Sequence, residues 1–350
     1  MNSKVNPDHT GLVRLWLGAM IIMVVGALVI GAFTRLTGSG LSMVEWRPIA
    51  GLLPPLDQAE WQRIFMLYQQ IPQYQLLNFD MNLAEFKRIF WWEYLHRIWG
   101  RLIGFCWMMP MIILWRSFPP WMKLHLLGLL GAGAMQGIIG WWMVKSGFSG
   151  RTEVEPLRLA VHLGLAMVIL AWLIWLFQLC NRWEKPAFIR LRLPVILIAV
   201  FVAMMILSGA LVAGSQAGFI FNDWPLMDGN LLPPIYQGGF ESSEGGIRLF
   251  YLVFENQGSI QFHHRCMAYA MWIIALGLLW HARGRSANIR LCSWLVFAAI
   301  TLQIMIGIAT VKLAVPIWLG IAHQLGAALI VVLLVVHATL YQLKLDHDRN

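Results

Sequence analysis

Trp92-Glu93-Tyr94-Leu95-His96-Arg97-Ile98-Trp99-Gly100-Arg101 opens a long apolar run with a carboxylate, an imidazole and two guanidinium groups. Gln261-Phe262-His263-His264-Arg265 returns the pattern in the second half of the chain. Ionisable groups inside a membrane segment are rare and costly, and by default they mark function. The surroundings of both copies are built for lipid. The chain is 59% hydrophobic and only 12% charged, whereas soluble domains carry about a quarter charged residues. Nineteen tryptophans suit membrane interfaces, where indole rings concentrate.

Apolar runs of about 20 residues, the length that crosses a hydrocarbon core, are expected at 12–34, 93–115, 121–144, 157–180, 192–215, 262–281, 289–312 and 317–341. The expected fold is therefore an all-α integral membrane protein of eight transmembrane helices. The first run is long and lacks a small-residue cleavage site, so it reads as a span and not as a cleaved signal. The few polar residues before it do not resemble an organelle transit peptide, which favours a bacterial inner membrane. Arg116 and Lys123, then Arg182, Lys185, Arg190 and Arg192, then Arg283, Arg285 and Arg290 fill the short links on one side, with Lys4, Arg14, Lys344 and Arg349 near the ends. The positive-inside rule then places both termini in the cytoplasm. Topology accounts for the net charge of +9 without a nucleic-acid partner. Cys106, Cys180, Cys266 and Cys292 lie in or beside apolar runs, and none forms a close-spaced ligand or redox pair.

The chain repeats itself. One span, a long outer loop and three closely linked spans occur twice, with outer loops at 35–92 and 216–261. Gly31 answers Gly209, Trp46 answers Trp224, and Leu53-Pro54-Pro55 answers Leu232-Pro233-Pro234. His96-Arg97 answers His264-Arg265, Gln136 and Gly140 answer Gln303 and Gly307, and His162 answers His323. An even number of spans per half makes this a parallel repeat, so two four-helix bundles are expected, 1–185 and 186–350. Within the outer loops, 57–70 and 82–92 mix aromatic and charged residues as short interfacial helices do.

Of ten histidines, His96, His162, His264 and His323 sit near the outer ends of even-numbered spans, two per half and one per helix. Four-helix bundles grip cofactors in this way, and two opposed imidazoles suit haem iron. Zinc would want four close nitrogen or sulfur ligands. His263 neighbours His264 but points about 100° away around the helix; the internal match selects His264. Gly100, Gly104, Gly164 and Gly326 either admit a flat macrocycle or serve close helix packing. Arg97 and Arg265, with Arg101 a turn further on, either pair with haem propionates or snorkel to headgroups.

The repeat breaks at one point. Glu93 shares a helical face with His96, but its counterpart is Gln261, which cannot ionise. A carboxylate there would accept a proton or stabilise developing positive charge, unless it simply pairs with Arg97 or Arg88.

The Glu93-Tyr94-Leu95-His96-Arg97 motif, the two-half layout, the matched histidines and the residues 40–48 stretch Gly-Leu-Ser-Met-Val-Glu-Trp-Arg-Pro together resemble the haem A synthase family over essentially the whole chain. The resemblance implies oxidation of the C8 methyl of haem O to a formyl group, with water as the oxygen source and electrons passed to an acceptor it does not name. It implies haem b held by His264 and His323 in the second half. In the first, His96 and His162 would hold the substrate haem O, with Glu93 beside the reacting methyl. A farnesyltransferase making haem O and a cytochrome oxidase receiving haem A are implied as partners, and the haem sites are expected toward the extracytoplasmic side. Self-association stays open. Some family members have a cysteine pair in the first outer loop; residues 35–92 here have no cysteine, so this chain resembles the subtype without it. The competing reading is a di-haem b-type membrane electron-transfer protein.

Overall fold

A computed structural model describes residues 8–47, 50–180, 193–236 and 245–347. Eleven α-helices form among them: α1 (Asp8–Leu36), α2 (Gln58–Gln69), α3 (Pro72–Leu77), α4 (Leu83–Ile113), α5 (Pro120–Lys145), α6 (Pro156–Leu179), α7 (Leu193–Gly214), α8 (Gly245–Phe254), α9 (Gln257–Ala282), α10 (Ala287–Lys312) and α11 (Ile317–His347). No β-strand forms among the described residues, apart from one isolated bridge between Met227 and Asn230. In hydrocarbon every backbone polar group must be satisfied within its own segment, which helices achieve.

Helix starts follow local chemistry. Asn82 caps α4 by accepting from Ala84 and Glu85 backbone N–H groups, while Glu85 bonds back to the Asn82 N–H. Asp57 caps α2 and Asn256 caps α9. Pro120 and Pro156 open α5 and α6, where a missing N–H costs nothing.

Seven helices (α1, α5, α6, α7, α9, α10 and α11) are long and apolar enough to cross a membrane. The chain is an all-α integral membrane protein. α4 is not among the seven, because its 31 residues include Glu85, Lys87, Arg88, Glu93, Arg97 and Arg101. The expected short helix at 82–92 is not a separate element. It is the first part of α4, since the cap at Asn82 starts a helix and residues 83–99 contain no Gly or Pro to stop it. The rest of the first outer loop is folded. Trp61, Phe65 and Tyr68 of α2 and Ile71 bury against Phe86 and Phe90 of α4, Leu41 and Val154.

α1, α4, α5 and α6 touch in a closed ring, and α7, α9, α10 and α11 touch in another; α6 meets α7 and α11, and α1 meets α11. Lipid tails are as apolar as leucine, so close approach at small residues does much of the holding. Gly320 receives Leu36 across α1 and α11, and Gly214 lies against Pro156. The boundary expected at 185/186, and Lys4, Arg182, Lys185, Arg190, Arg192 and Arg349, lie outside the described residues.

Gly128 of α5 faces Trp172 of α6, where an added Cβ would come within 2.5 Å of the indole, while Gly131 faces open space. The indole cannot easily retreat, because its N–H donates to His125 Nδ1 at 3.2 Å. Gly128→Leu should destabilise the protein by about 1–3 kcal/mol, seen as a lower thermal midpoint in detergent, with Gly131→Leu unchanged. Equal midpoints would refute this packing.

Candidate functional site

Each of the four matched histidines sits on a glycine of the neighbouring helix. A Cβ at Gly31 on α1 would lie 3.2 Å from His96 Nε2 on α4, and one at Gly140 on α5 would lie 3.0 Å from His162 Cε1 on α6. In the second half, a Cβ at Gly209 on α7 would lie 3.3 Å from His264 Cε1 on α9, and one at Gly307 on α10 would lie 2.9 Å from His323 Cε1 on α11. The missing side chain is what lets each ring enter its helix interface. The glycines singled out from sequence behave differently. Gly326 makes room for the Gln303 amide and a Cβ at Gly164 would lie 3.1 Å from Leu207, while Gly100 and Gly104 face open space.

His264 and His323 are brought together, with ring centroids 6.5 Å apart and planes at 74°. One metal between them needs about 2 Å to a nitrogen on each side, plus the two ring radii, which this spacing accommodates. His264 Nδ1 lies 3.1 Å from Ser208 Oγ. Gln303 Nε2 donates to the His323 carbonyl at 2.7 Å and Gln136 Nε2 to the His162 carbonyl at 3.0 Å. Gln136 Nε2 also approaches His162 Nε2 at 3.4 Å. The neighbours His263 and His264 part ways: His263 Nε2 meets the Tyr236 hydroxyl at 3.0 Å, outside the paired set. Among the described residues no three His, Cys, Asp or Glu side chains gather in metal-binding geometry. His264 and His323 therefore offer an imidazole pair, a donor set that suits the two axial positions of haem iron.

Loop residues 43–45 and 221–226 are clamped to α4 and α9 by matched arginines. Arg97 donates from Nη2 to the Met43 carbonyl at 2.7 Å and from Nη1 to the Glu45 carbonyl at 3.1 Å. Arg265 donates from Nη1 to the Leu226 carbonyl and from Nη2 to the Phe221 carbonyl, each at 2.9 Å. The residue four positions earlier completes each clamp. Glu93 is 3% exposed and accepts from the Ser42 hydroxyl and the Met43 N–H at 2.8 Å, and from Arg97 at 2.5 Å. Gln261 accepts from Arg265 at 3.3 Å and donates to the Phe221 carbonyl at 3.2 Å. A carboxylate only accepts, whereas an amide also donates. Glu93 accordingly faces loop donors, and Gln261 faces a loop acceptor. Further out, Arg63 bridges Glu45 and Glu60, and its hydrogen bonds hold both carboxyls below their ordinary range. Arg101 donates to the Arg47 carbonyl at 3.0 Å.

The glycine seats, Ser208 and the two glutamines were missed as site residues from sequence. Gly31, Gly209, Gln136, Gly140, Gln303 and Gly307 were visible as repeat matches, but which helix each one faces was not. If the seat is needed for ligation, Gly307→Ala should displace the His323 ring and lower the haem-to-protein ratio of the purified protein several-fold. Gly277→Ala, where a Cβ would meet open space, should leave that ratio unchanged. A normal ratio in Gly307→Ala would show that the seat is dispensable.

A model of the cytochrome oxidase assembly protein family COX15-CtaA matches residues 14–335. The chain is 43% identical over 343 residues to a haem A synthase of Rhodopseudomonas palustris strain HaA2, covering 96% of this chain and 92% of that protein. It is 40% identical over 344 residues to a haem A synthase of Caulobacter vibrioides, covering 94% and 96%. A Methylobacterium radiotolerans haem A synthase is 42% identical over 345 residues, covering 95% and 90%. With the match running through both helix rings and all four histidine seats, this chain belongs to the COX15-CtaA family of cytochrome oxidase assembly proteins.

Proposed function

We infer that this protein is a haem A synthase that oxidises the C8 methyl of haem O to a formyl group. One observation carries the assignment of chemistry to the first half. Two imidazole sites share the same glycine seats and arginine clamps, and a buried carboxylate accompanies His96 where an amide accompanies His264.

In this reading His96 and His162 hold the iron of the substrate haem O. His264 and His323 hold a resident haem b, which when bound supplies one-electron chemistry. Each oxidation of the methyl carbon removes two electrons and two protons; water supplies the oxygen of the first C–O bond, and an acceptor outside the chain takes the electrons. Glu93 lies three residues before His96, on its face of the helix. Three donors hold its carboxylate in place, so it is suited to present fixed negative charge to a carbon becoming positive. Arg97 and Arg265 already hold loop carbonyls with both Nη atoms. Propionate pairing would therefore use Nε–H or the second N–H of Nη1, the donors that the loop bonds leave over.

The two rings of helices support division into halves at 1–185 and 186–350, with α4 as the eighth span. At about 1.5 Å per residue, its 31 residues exceed the ~30 Å core. The proposed location is the bacterial inner membrane, with cytoplasmic termini and haem sites toward the outside. A haem O-making farnesyltransferase would supply the substrate and a cytochrome oxidase would receive the product.

The test is to purify the protein from cells supplied with haem O and weigh the extracted haems. Hydroxylated and formyl haem are expected; haem b alone, at every stage, would instead favour a di-haem electron carrier. Glu93→Gln should keep the second-half haem spectrum while conversion falls at least 100-fold. Full conversion would reduce Glu93 to a loop clamp.

A further inference from the structure

The four histidines are not equally anchored. His264 has a side-chain partner for Nδ1, the Ser208 hydroxyl at 3.1 Å. Among the described residues the Nδ1 atoms of His162 and His323 have no hydrogen-bond partner, and none of the side-chain bonds recorded there involves the His96 ring. Ser208 precedes the glycine seat, and the repeat places Ile30 at its counterpart, since Ile30-Gly31-Ala32 answers Ser208-Gly209-Ala210. The same seat therefore carries a hydroxyl in one half and an alkyl group in the other.

An imidazole that binds iron through Nε2 carries its proton on Nδ1, and a partner for that N–H fixes tautomer, ring orientation and basicity. We propose that Ser208 is the positioning residue that makes the second-half haem a retained cofactor, and that Ile30 at the matched place leaves the first-half haem exchangeable. This rests on the assignment of His264 as a haem ligand. A substrate site must release its product each cycle, whereas a cofactor site must not. One hydroxyl accounts for both behaviours on nearly identical frames. His162 fits the same division, because the Gln136 amide lies 3.4 Å from its Nε2, where iron would have to compete.

The test follows haem release from the purified full-length protein to excess apomyoglobin, in a His96→Ala background so that the second site is observed alone. Loss of such a partner typically weakens metal affinity 10–100-fold. Ser208→Ala should release haem about ten-fold faster or more and shift the midpoint potential upward, since the ligand loses basicity. Ser208→Thr, which keeps a hydroxyl, should behave like the parent. In the otherwise unaltered chain, Ile30→Ser should raise the amount of product haem that co-purifies. Parental release and potential in Ser208→Ala, with His264→Ala emptying the site, would overturn the proposal alone. Haem retained in His264→Ala would overturn the ligand assignment and the proposal with it. Unchanged product retention in Ile30→Ser would overturn the explanation for the exchangeable site.

Discussion

The structure turns on an imidazole fitted against a helix that has no side chain at the point of contact. Helices in lipid gain little from hiding apolar surface, because the solvent is equally apolar; they associate through close packing and polar contacts. A histidine ring is bulky and polar, and it enters such an interface only where the neighbouring helix withdraws. Gly31, Gly140, Gly209 and Gly307 provide that withdrawal, each within a few ångströms of its ring. Because ring and seat lie on different helices, the four contacts also set which helices must be neighbours. α4 is held to α1 and α6 to α5, and in the second half α9 to α7 and α11 to α10.

The arginine clamps extend this frame outward. Arg97 and Arg265 tie irregular loop segments to helices through backbone carbonyls, which satisfies acceptors that sheet or helix would otherwise satisfy. The buried Glu93–Arg97 pair is costly to desolvate, and removing one partner strands the other charge. Here it fixes the 42–45 segment above the first histidine site, while the neutral Gln261 performs the corresponding task above the second. The halves thus share glycine seats and arginine clamps, and among the places where they differ are Glu93 against Gln261 and Ile30 against Ser208; in the proposed reading these two differences separate the substrate site from the cofactor site.

Much of this was legible in the residues. Apolar run lengths announced the spans, and the matched His96, His162, His264 and His323 stood out as candidates, of which the structure brings His264 and His323 together, because ionisable groups stand out against a uniform background. That uniformity also hid the rest. In a soluble helix the apolar stripe marks the inner face, but a membrane helix is apolar on every side. Nothing in the pattern shows that Gly140 looks at His162 while Gly131 looks at open space. The same ambiguity let Gly100, Gly104, Gly164 and Gly326 be singled out by nearness in sequence. The α4 start was misplaced for a different reason: charged residues at 82–92 suggested an interface, yet helix propagation is indifferent to polarity once a cap has formed and no breaker follows.

The sequence by itself determined the class of the protein, its membrane character and its internal repeat, together with the histidines and the Glu93 and Gln261 asymmetry. These depend on composition, length and spacing, which are one-dimensional properties. Only the tertiary structure decided that His264 and not His263 faces His323, that Glu93 is locked by Ser42, Met43 and Arg97, and that Ser208 reaches His264. Those facts depend on the rotation of one helix against another. That rotation is set by the packing of small residues and rings across the interface, which no single segment encodes.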